Sequence, residues 1–421
     1  MYEKSLLPNG LRVVTASMPH TRSVCLCIYV GAGSRYESDS EAGVCHFIEH
    51  LCFKGTEKRP TAKELSEAID GVGGILNAAT FRERTSYWCK VARPHFGLAL
   101  DILSDMLLHS RYDPAEMERE RKVIIEELAM IRDAPDQMVG VLIDETLWPG
   151  QPLGREIAGS KESVSSLSRE SLLAYQRLHY TPGNTVVAVA GDVEHGQVVE
   201  AIALAMGALE ARAGASWAPA RDGQVEPRLR MEYKRTEQAH LCLAVPGLSL
   251  THPARYALDM LSVILGEGMS SRLFLELREK RGLCYDIHSY AANFQDTGCF
   301  AIYAGVEPRR AGETLGAILD ELWKIKRGVP AEELKKAKEL TKGRLLLSME
   351  DSRSVAGWMA AQELMLGQIK TVDEVVAELE AVTCEQLGQI AEQLLRPERL
   401  NLAVVGPFRS ERRFRSLLGL S

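Results

Sequence analysis

The sequence lacks the features that define several large classes of protein. No run of about 18 apolar residues occurs, so we expect no transmembrane helix. The N-terminus has neither the basic and apolar stretches of a secretory signal nor the Arg-rich, acid-poor composition of a mitochondrial transit peptide. The formal net charge is −7, which argues against nucleic acid as the main partner because a phosphate-binding surface needs an excess of basic residues.

Paired cysteines are missing as well. The nine cysteines are an odd number, and they are scattered without CxxC spacing. Neither a disulfide framework nor a cysteine-ligated zinc site fits this scatter. Most of the cysteines are flanked by apolar residues, so we expect small core residues in a protein of the reducing cytoplasm.

The length of 421 residues exceeds what one hydrophobic core usually supports, so two or more domains are expected. The composition shifts once, over residues 207–228, which are rich in Ala, Gly, Pro and charge without an apolar period. This stretch predicts a linker between a domain of residues 1–206 and a domain of residues 229–421.

The two halves resemble a diverged repeat. The strand predicted at Ser23–Ile28 has a counterpart at Gln238–Leu243, and Asn184–Gly191 has a counterpart at Arg399–Gly406; both pairs share the same sequence offset of 215. In the first half the predicted strands lie before and after a series of long helices. This segregation favours an α+β fold made of two homologous α/β-sandwich domains related by internal duplication. The strands are predicted at Leu11–Ala16, Val24–Val30, Ile75–Phe81, Thr85–Val91 and Thr185–Ala190, and the helices at Glu41–Phe53, Ala62–Val72, Pro94–Leu108, Pro114–Arg132 and Arg169–His179.

One predicted helix, which starts at a capping box of Ser38 and Glu41, carries a chemically specific face. His46, Glu49 and His50 lie at positions i, i+3 and i+4, in the order H-x-x-E-H. Imidazoles one turn apart can bind one zinc ion, and a carboxylate between them can take a proton from bound water. The alternative is a solvated polar face on a surface helix, so the hypothesis requires a third ligand.

A later helix, which begins at Pro114, offers that ligand. Glu120 and Glu127 lie on one flank of its apolar stripe, about 60–80° from the centre, whereas Glu126 faces water. An acid at the edge of a buried face needs a partner. We therefore predict Glu127 as a metal ligand and Glu120 as a carboxylate that orients a metal-bound imidazole. The alternative is that these acids pair with the basic residues of the same helix.

With these residues in view, the sequence resembles the pitrilysin-type metallopeptidases (inverzincins), and within them the branch of the mitochondrial processing peptidase and bacterial enzymes of about 45 kDa. In that family a glutamate ligand follows H-x-x-E-H after a spacer of fixed length, and the spacer from position 51 to position 126 has that length, so Glu127 stands at the ligand position. The family also has an acid two helical turns before that ligand, where Glu120 stands. The match extends over nearly the whole chain. It implies that the strand of Asn77 and Ala78 binds substrate as an added edge strand.

In the second half, the resemblance implies that Arg278 and Tyr285 hold the substrate carbonyl or the developing oxyanion. Family members enclose their substrates in a chamber of four such domains, and this chain supplies two. A homodimer is therefore expected, in which Arg278 and Tyr285 of one chain lie over the zinc of the other; a heterodimer with an inert homologous subunit is the alternative. Adding 215 to the motif positions gives Leu261, Ile264 and Leu265, so one Zn²⁺ per chain is expected.

The function expected from these residues is hydrolysis of unfolded peptides or peptide precursors, with Glu49 activating the water. Two alternatives stay open, namely a non-catalytic scaffold subunit of the same superfamily and a zinc-dependent peptide-binding protein without turnover. No nucleic acid and no membrane is expected as a partner. Mn²⁺ or Co²⁺ is a possible substitute for zinc at a His₂Glu site.

Overall fold

The computed structural model describes residues 2–212 and 216–420. Within them, eleven strands build two mixed sheets and fifteen α-helices cover these sheets. The strands are β1 (Tyr2–Leu6), β2 (Arg12–Ser17), β3 (Ser23–Val30), β4 (Ile75–Thr80), β5 (Thr85–Ala92), β6 (Thr185–Gly191), β7 (Arg228–Tyr233), β8 (Ala239–Pro246), β9 (Cys284–Asn293), β10 (Gly298–Val306) and β11 (Asn401–Gly406).

The helices follow the predicted order in the first half and continue through the second. They are α1 (Val44–Cys52), α2 (Ala62–Asp70), α3 (Phe96–His109), α4 (Pro114–Asp133), α5 (Pro135–Leu147), α6 (Lys161–Ser166), α7 (Arg169–His179), α8 (His195–Met206), α9 (Arg255–Gly266), α10 (Ala311–Ile325), α11 (Ala331–Ser348), α12 (Ser352–Leu366), α13 (Val372–Ala381), α14 (Cys384–Leu394) and α15 (Arg412–Leu417). A π-helical segment covers Phe274–Lys280. No helix of the described chain is both long enough and apolar enough to cross a membrane.

The first sheet has the strand order β1-β2-β6-β3-β5-β4. Strands β2 and β6 are parallel, and all other neighbours are antiparallel. The central strand β3 is buried on both faces: Val24, Leu26 and Ile28 contribute to the core under α1, α3 and α7, while Cys25 and Cys27 face the opposite side. This two-sided burial explains the continuous apolar run in its sequence.

The second sheet has five strands in the order β7-β11-β8-β10-β9, which repeats the order β2-β6-β3-β5-β4 of the first sheet, again with one parallel pair, β7 with β11. The repeat extends to the register. Cys27 pairs with Ala188 across β3 and β6, and Cys242 pairs with Ala403 across β8 and β11, so the second pair repeats the first at the sequence offset of the duplication. The predicted α+β fold with two homologous domains is therefore confirmed.

The chain forms two compact units that are each discontinuous in sequence, unlike the predicted continuous domains 1–206 and 229–421. The physical reason is that both faces of each sheet are apolar, and a helix from the opposite half of the sequence covers the second face: α12 covers the first sheet and α5 the second. The units comprise Met1–Leu128, Glu156–Ala218 and Leu345–Thr371, and Ala129–Arg155, Pro219–Arg344 and Val372–Ser421.

Ion pairs fix α12 to the first sheet. The buried Glu363 carboxylate binds the Lys4 ammonium at 2.7 Å and lies 3.5 Å from the Arg12 guanidinium. At the start of the same helix, Asp351 pairs with Lys90 of β5. These contacts lie inside the first unit, so they hold this late segment of the chain on the early strands.

The predicted linker has neither helix nor strand in its residues 207–212 and 216–227; its residues 213–215 lie outside the described chain. The described part of this linker contacts buried residues in both units. In the first unit the Ala218 carbonyl accepts from the buried Arg35 guanidinium, which also pairs with Glu83 at 2.5 Å and lies 4.0 Å from the Trp217 ring centroid. In the second unit, Gln224 accepts a hydrogen bond from buried Asn401.

Candidate metal centre

The helix that carries the predicted zinc ligands begins at Val44, three residues later than expected. The predicted capping box of Ser38 and Glu41 exists, but it caps a short 3₁₀ turn rather than this helix. The buried Glu37 carboxylate instead accepts the backbone N–H groups of Gly43 and Cys45, at 2.8 and 2.9 Å. A carboxylate at this position satisfies amides that the helix leaves unpaired and interacts favourably with the helix dipole.

His46, His50 and Glu127 converge at one point. The Nε2 atoms of His46 and His50 lie 3.9 and 3.5 Å from Oε2 of Glu127, and the imidazole centroids are 4.5 Å apart. In the described chain these three residues form the one group of at least three metal-ligating side chains within 4.8 Å of one another.

The donor set fits zinc. Zn–N and Zn–O bonds of about 2.0–2.2 Å at tetrahedral angles place two ligand atoms roughly 3.4 Å apart, close to the separations observed. Two imidazoles and one carboxylate are also the ligands of known catalytic zinc sites, in which a fourth position stays open. Nε2 of His46 is the nitrogen that faces the other donors, while its Nδ1 is buried and has no hydrogen-bond partner in the described chain.

Glu120 and Lys54 extend the site behind His50. Oε2 of Glu120 lies 3.0 Å from Nδ1 of His50, and its Oε1 lies 2.8 Å from the Lys54 ammonium. Glu120 is 5% exposed, whereas Glu126 of the same helix faces solvent. The contact with Nδ1 leaves Nε2 of His50 as the metal-facing nitrogen, because a hydrogen bond at one ring nitrogen selects the tautomer.

Glu49 lies on the same face of α1 as the two histidines, and its partner comes from the first sheet. The Thr80 hydroxyl, at the end of β4, donates a hydrogen bond to Oε2 of Glu49. Burial raises the pKa of Glu49, and the hydrogen bonds from Thr80 and the nearby His50 oppose this rise. Burial, with a contribution from His50, lowers the pKa of His46 to about 4. A neutral His46 keeps a nitrogen lone pair for a metal.

The predicted substrate strand is an edge strand. β4 pairs with β5 on one side only, as the last strand of its sheet. Asn77 is exposed, and its side-chain oxygen accepts the backbone N–H of Ala78 at 2.8 Å. Phe81 N–H bonds to the Arg84 carbonyl, and bonded and non-bonded pairs alternate along an antiparallel ladder, so the backbone of Ala78 faces the open edge. The role of Asn77 and Ala78 in substrate binding stays a prediction.

Arg278 and Tyr285 lie together in the second unit, whereas the metal-ligating set lies in the first. The Arg278 guanidinium carbon is 5.4 Å from the Tyr285 ring centroid and 4.8 Å from that of Phe274. Arg278 stands in the π-helical segment, a kind of irregularity that is frequent at functional sites. Tyr285 is 74% exposed, so its hydroxyl is accessible to a ligand or partner.

The positions that correspond to the motif in the duplicated half are core residues. Leu261, Ile264 and Leu265 all lie on α9 and are at most 5% exposed. The duplicated helix therefore packs with apolar side chains where α1 carries its polar face. One metal per chain stays a prediction.

Sequence reasoning missed three residues of the site: Glu37, Lys54 and Thr80. Thr80 had a usable signal, because strand alternation places it on the same face as Leu76 and Ala78, which pack against the core. A hydroxyl on that inner face needs a partner. Lys54 and Glu37 had no comparable signal, since each lies next to a helix end where charged residues are common.

The fold and the site define this chain as a two-domain α+β protein with a His₂Glu centre suited to a catalytic metal. Residues 12–161 match the family model described as Insulinase (Peptidase family M16), and residues 166–341 match the one described as Peptidase M16 inactive domain. The uncharacterized zinc protease YmxG of Bacillus subtilis is 37% identical over 97% of this chain and 98% of its own length. The chain therefore belongs to peptidase family M16.

Two further relatives agree. An uncharacterized zinc protease of Mycobacterium leprae is 38% identical, over 97% of this chain and 92% of its own. The crystal structure of a protease from Helicobacter pylori superposes with a TM-score of 0.91 at 24% identity, covering 96% of this chain and 99% of that one, which supports the fold.

Proposed function

We propose that this protein is a zinc-dependent endopeptidase that hydrolyses unfolded peptides or peptide precursors, with Glu49 as the general base. The observation that carries the proposal is the convergence of His46, His50 and Glu127 beside the Glu49 carboxylate. The match to the insulinase family model, over residues 12–161, includes all four residues. The match to the inactive-domain model begins at residue 166 and therefore concerns the duplicated half.

Each residue has a distinct task in this mechanism. His46, His50 and Glu127 would hold one zinc ion, and Glu120 would orient the His50 ring through Nδ1. Zinc, when bound, supplies Lewis acidity that polarises the scissile carbonyl and acidifies water. Glu49 takes the proton from the attacking water and delivers it to the leaving amine. Burial of Glu49 favours this task, because it raises the pKa of the carboxyl towards the working pH.

Cleavage of a quenched unfolded peptide by the wild type and by Glu49→Gln tests the base, with zinc content measured in both. We expect Glu49→Gln to retain zinc and to lose at least about 100-fold in kcat, in the range of a lost general base. Glu126→Gln, on the exposed side of α4, is the matched control and should behave as the wild type. Equal rates in the wild type and Glu49→Gln, with zinc bound in both, would favour a binding or scaffold protein without turnover.

We also propose a homodimer in which Arg278 and Tyr285 of one chain serve the metal centre of the other. The support is the exposed Tyr285 beside Arg278, in a chain that carries both this pair and a complete His₂Glu set. Complementation tests it: Glu49→Gln and Arg278→Ala should each have strongly reduced activity alone, and mixing them should restore part of the activity. The heterodimer is favoured instead if the purified chain stays monomeric at micromolar concentration, and no recovery on mixing would refute the exchange of residues between chains.

A further inference from the structure

The contact between Thr80 and Glu49 connects two elements that the proposed mechanism treats separately. Thr80 is the last residue of β4, the edge strand predicted to pair with substrate. Glu49 is on α1, between the two histidines. The Thr80 hydroxyl donates a hydrogen bond to Oε2 of Glu49. One residue of the strand therefore holds one side of the base.

The contact matters because a glutamate carboxylate is poorly fixed by its own torsions. The terminal χ3 angle of Glu has a broad, roughly two-fold distribution, so its oxygens need external partners to stay in one orientation. Thr80 engages Oε2, which leaves Oε1 to accept the proton of the attacking water. Thr80 itself is partly buried on the inner face of β4, and its hydroxyl donates to Glu49, so we expect this side chain to act through the base.

The edge position of β4 adds a link to substrate. An open edge strand gains main-chain hydrogen bonds when a peptide strand is added to it. The six residues of β4 end at Thr80, so a peptide that pairs along this strand orders the element that carries the partner of Glu49. The orientation of the Glu49 carboxylate and the binding of a peptide to the edge of β4 then depend on each other.

We propose that Thr80 is a positioning residue for the general base, through which a peptide paired with β4 aligns Glu49. This inference rests on the proposed function, in which Glu49 takes the proton from water. Thr80→Val keeps the shape and the β-branched side chain but removes the donor. Its kcat should fall on the order of 10- to 100-fold, as for small displacements of a catalytic group, with KM within about twofold of the wild type. Thr80→Ser keeps a hydroxyl and should recover most of kcat.

A double-mutant cycle separates positioning from a general loss of structure. If Thr80 acts only through Glu49, adding Thr80→Val to Glu49→Gln lowers the rate no further than Glu49→Gln alone. Thr21→Val is the matched control: this hydroxyl bonds only the backbone carbonyls of Met18 and Ser23, in a loop of the same unit. Zinc content and thermal midpoint are measured for every variant, so that unfolding is recognised as such.

The outcomes separate this inference from the proposed function. Equal kcat values in the wild type and Glu49→Gln would refute Glu49 as the general base, and with it the positioning role of Thr80. A wild type well above Glu49→Gln, combined with an unchanged kcat in Thr80→Val, refutes the positioning role alone. The positioning role is likewise refuted if Thr80→Ser is no better than Thr80→Val, if the whole loss lies in KM, or if the effects of the two substitutions simply multiply in the double variant.

Discussion

The substitution Glu120→Gln should weaken zinc binding without touching a ligand. Glu120 is 5% exposed and accepts from Nδ1 of His50 at 3.0 Å, while its second oxygen binds Lys54 at 2.8 Å. The glutamine keeps the volume and one carbonyl oxygen, so His50 can retain a hydrogen bond. It loses the negative charge, and its amide group then faces the Lys54 ammonium, donor against donor.

The magnitude follows from the kind of hydrogen bond that changes. A hydrogen bond to a charged group contributes about 1.5–3 kcal/mol and a neutral one about 0.5–1.5 kcal/mol, so the exchange costs roughly 1–1.5 kcal/mol. That difference corresponds to about a tenfold weaker zinc affinity. It lies at the lower end of the 10- to 100-fold losses typical of residues that support metal-bound histidines. Lys54 adds little, because its side chain is 30% exposed and can turn towards water.

Competition against a chromogenic zinc chelator at pH 7.5 measures this affinity without any need for catalysis. Glu120→Gln should show a zinc Kd about tenfold above the wild type, and Glu126→Gln on the solvent side of the same helix should show none of this change. A Kd of Glu120→Gln within twofold of the wild type refutes the argument. An equal loss of zinc affinity in Glu120→Gln and Glu126→Gln also refutes it, because the effect then comes from the net charge rather than from the bond to His50.

The parts of the site that sequence predicts are those within a single helix. The spacing of His46, Glu49 and His50 fixes their common face, because 3.6 residues complete a turn wherever the helix lies. The same periodicity separates Glu127 from Glu126 on α4, and the structure places Glu126 in solvent and Glu127 beside both imidazoles. Periodicity does not predict that the two helices meet; that expectation rests on the motif-to-ligand spacing of the family that the sequence resembles.

Contacts between distant elements were beyond the sequence for physical reasons. The bond between Thr80 and Glu49 depends on how β4 packs against α1, and neither segment alone specifies that packing. The sequence places the start of α1 too early, because a capping box satisfies backbone amides equally well on a 3₁₀ turn. The residue that caps α1 is instead Glu37, which accepts the N–H of Gly43, six residues later in the chain; Gly43 has a φ of 92°. The continuous apolar strands likewise predict that both faces of a sheet are covered, but they do not identify the helix that covers each face.

Three further predictions concern stability. Glu83→Gln should lower the free energy of unfolding by about 3 kcal/mol in urea, because it removes the negative charge that pairs with the fully buried Arg35 guanidinium; exposed Glu57→Gln is the control, and a loss equal to that of the control would contradict it. Zinc at 100 times its Kd should stabilise the chelator-treated protein by about 2.7 kcal/mol, and a thermal midpoint indifferent to zinc would argue against the site. Asp259→Asn should be more stable than the wild type at neutral pH. Burial raises the pKa of Asp259 to about 6, and Arg255 offsets this only in part. The native state therefore keeps a proton that the unfolded state loses near pH 4, so wild-type stability falls as the pH rises from about 4 to 6, by about 2–3 kcal/mol. The variant lacks this titration: its advantage should be near zero at pH 4 and full above pH 6, and an advantage that is the same at both pH values would show that desolvation of the Asp259 carboxylate is not its cause.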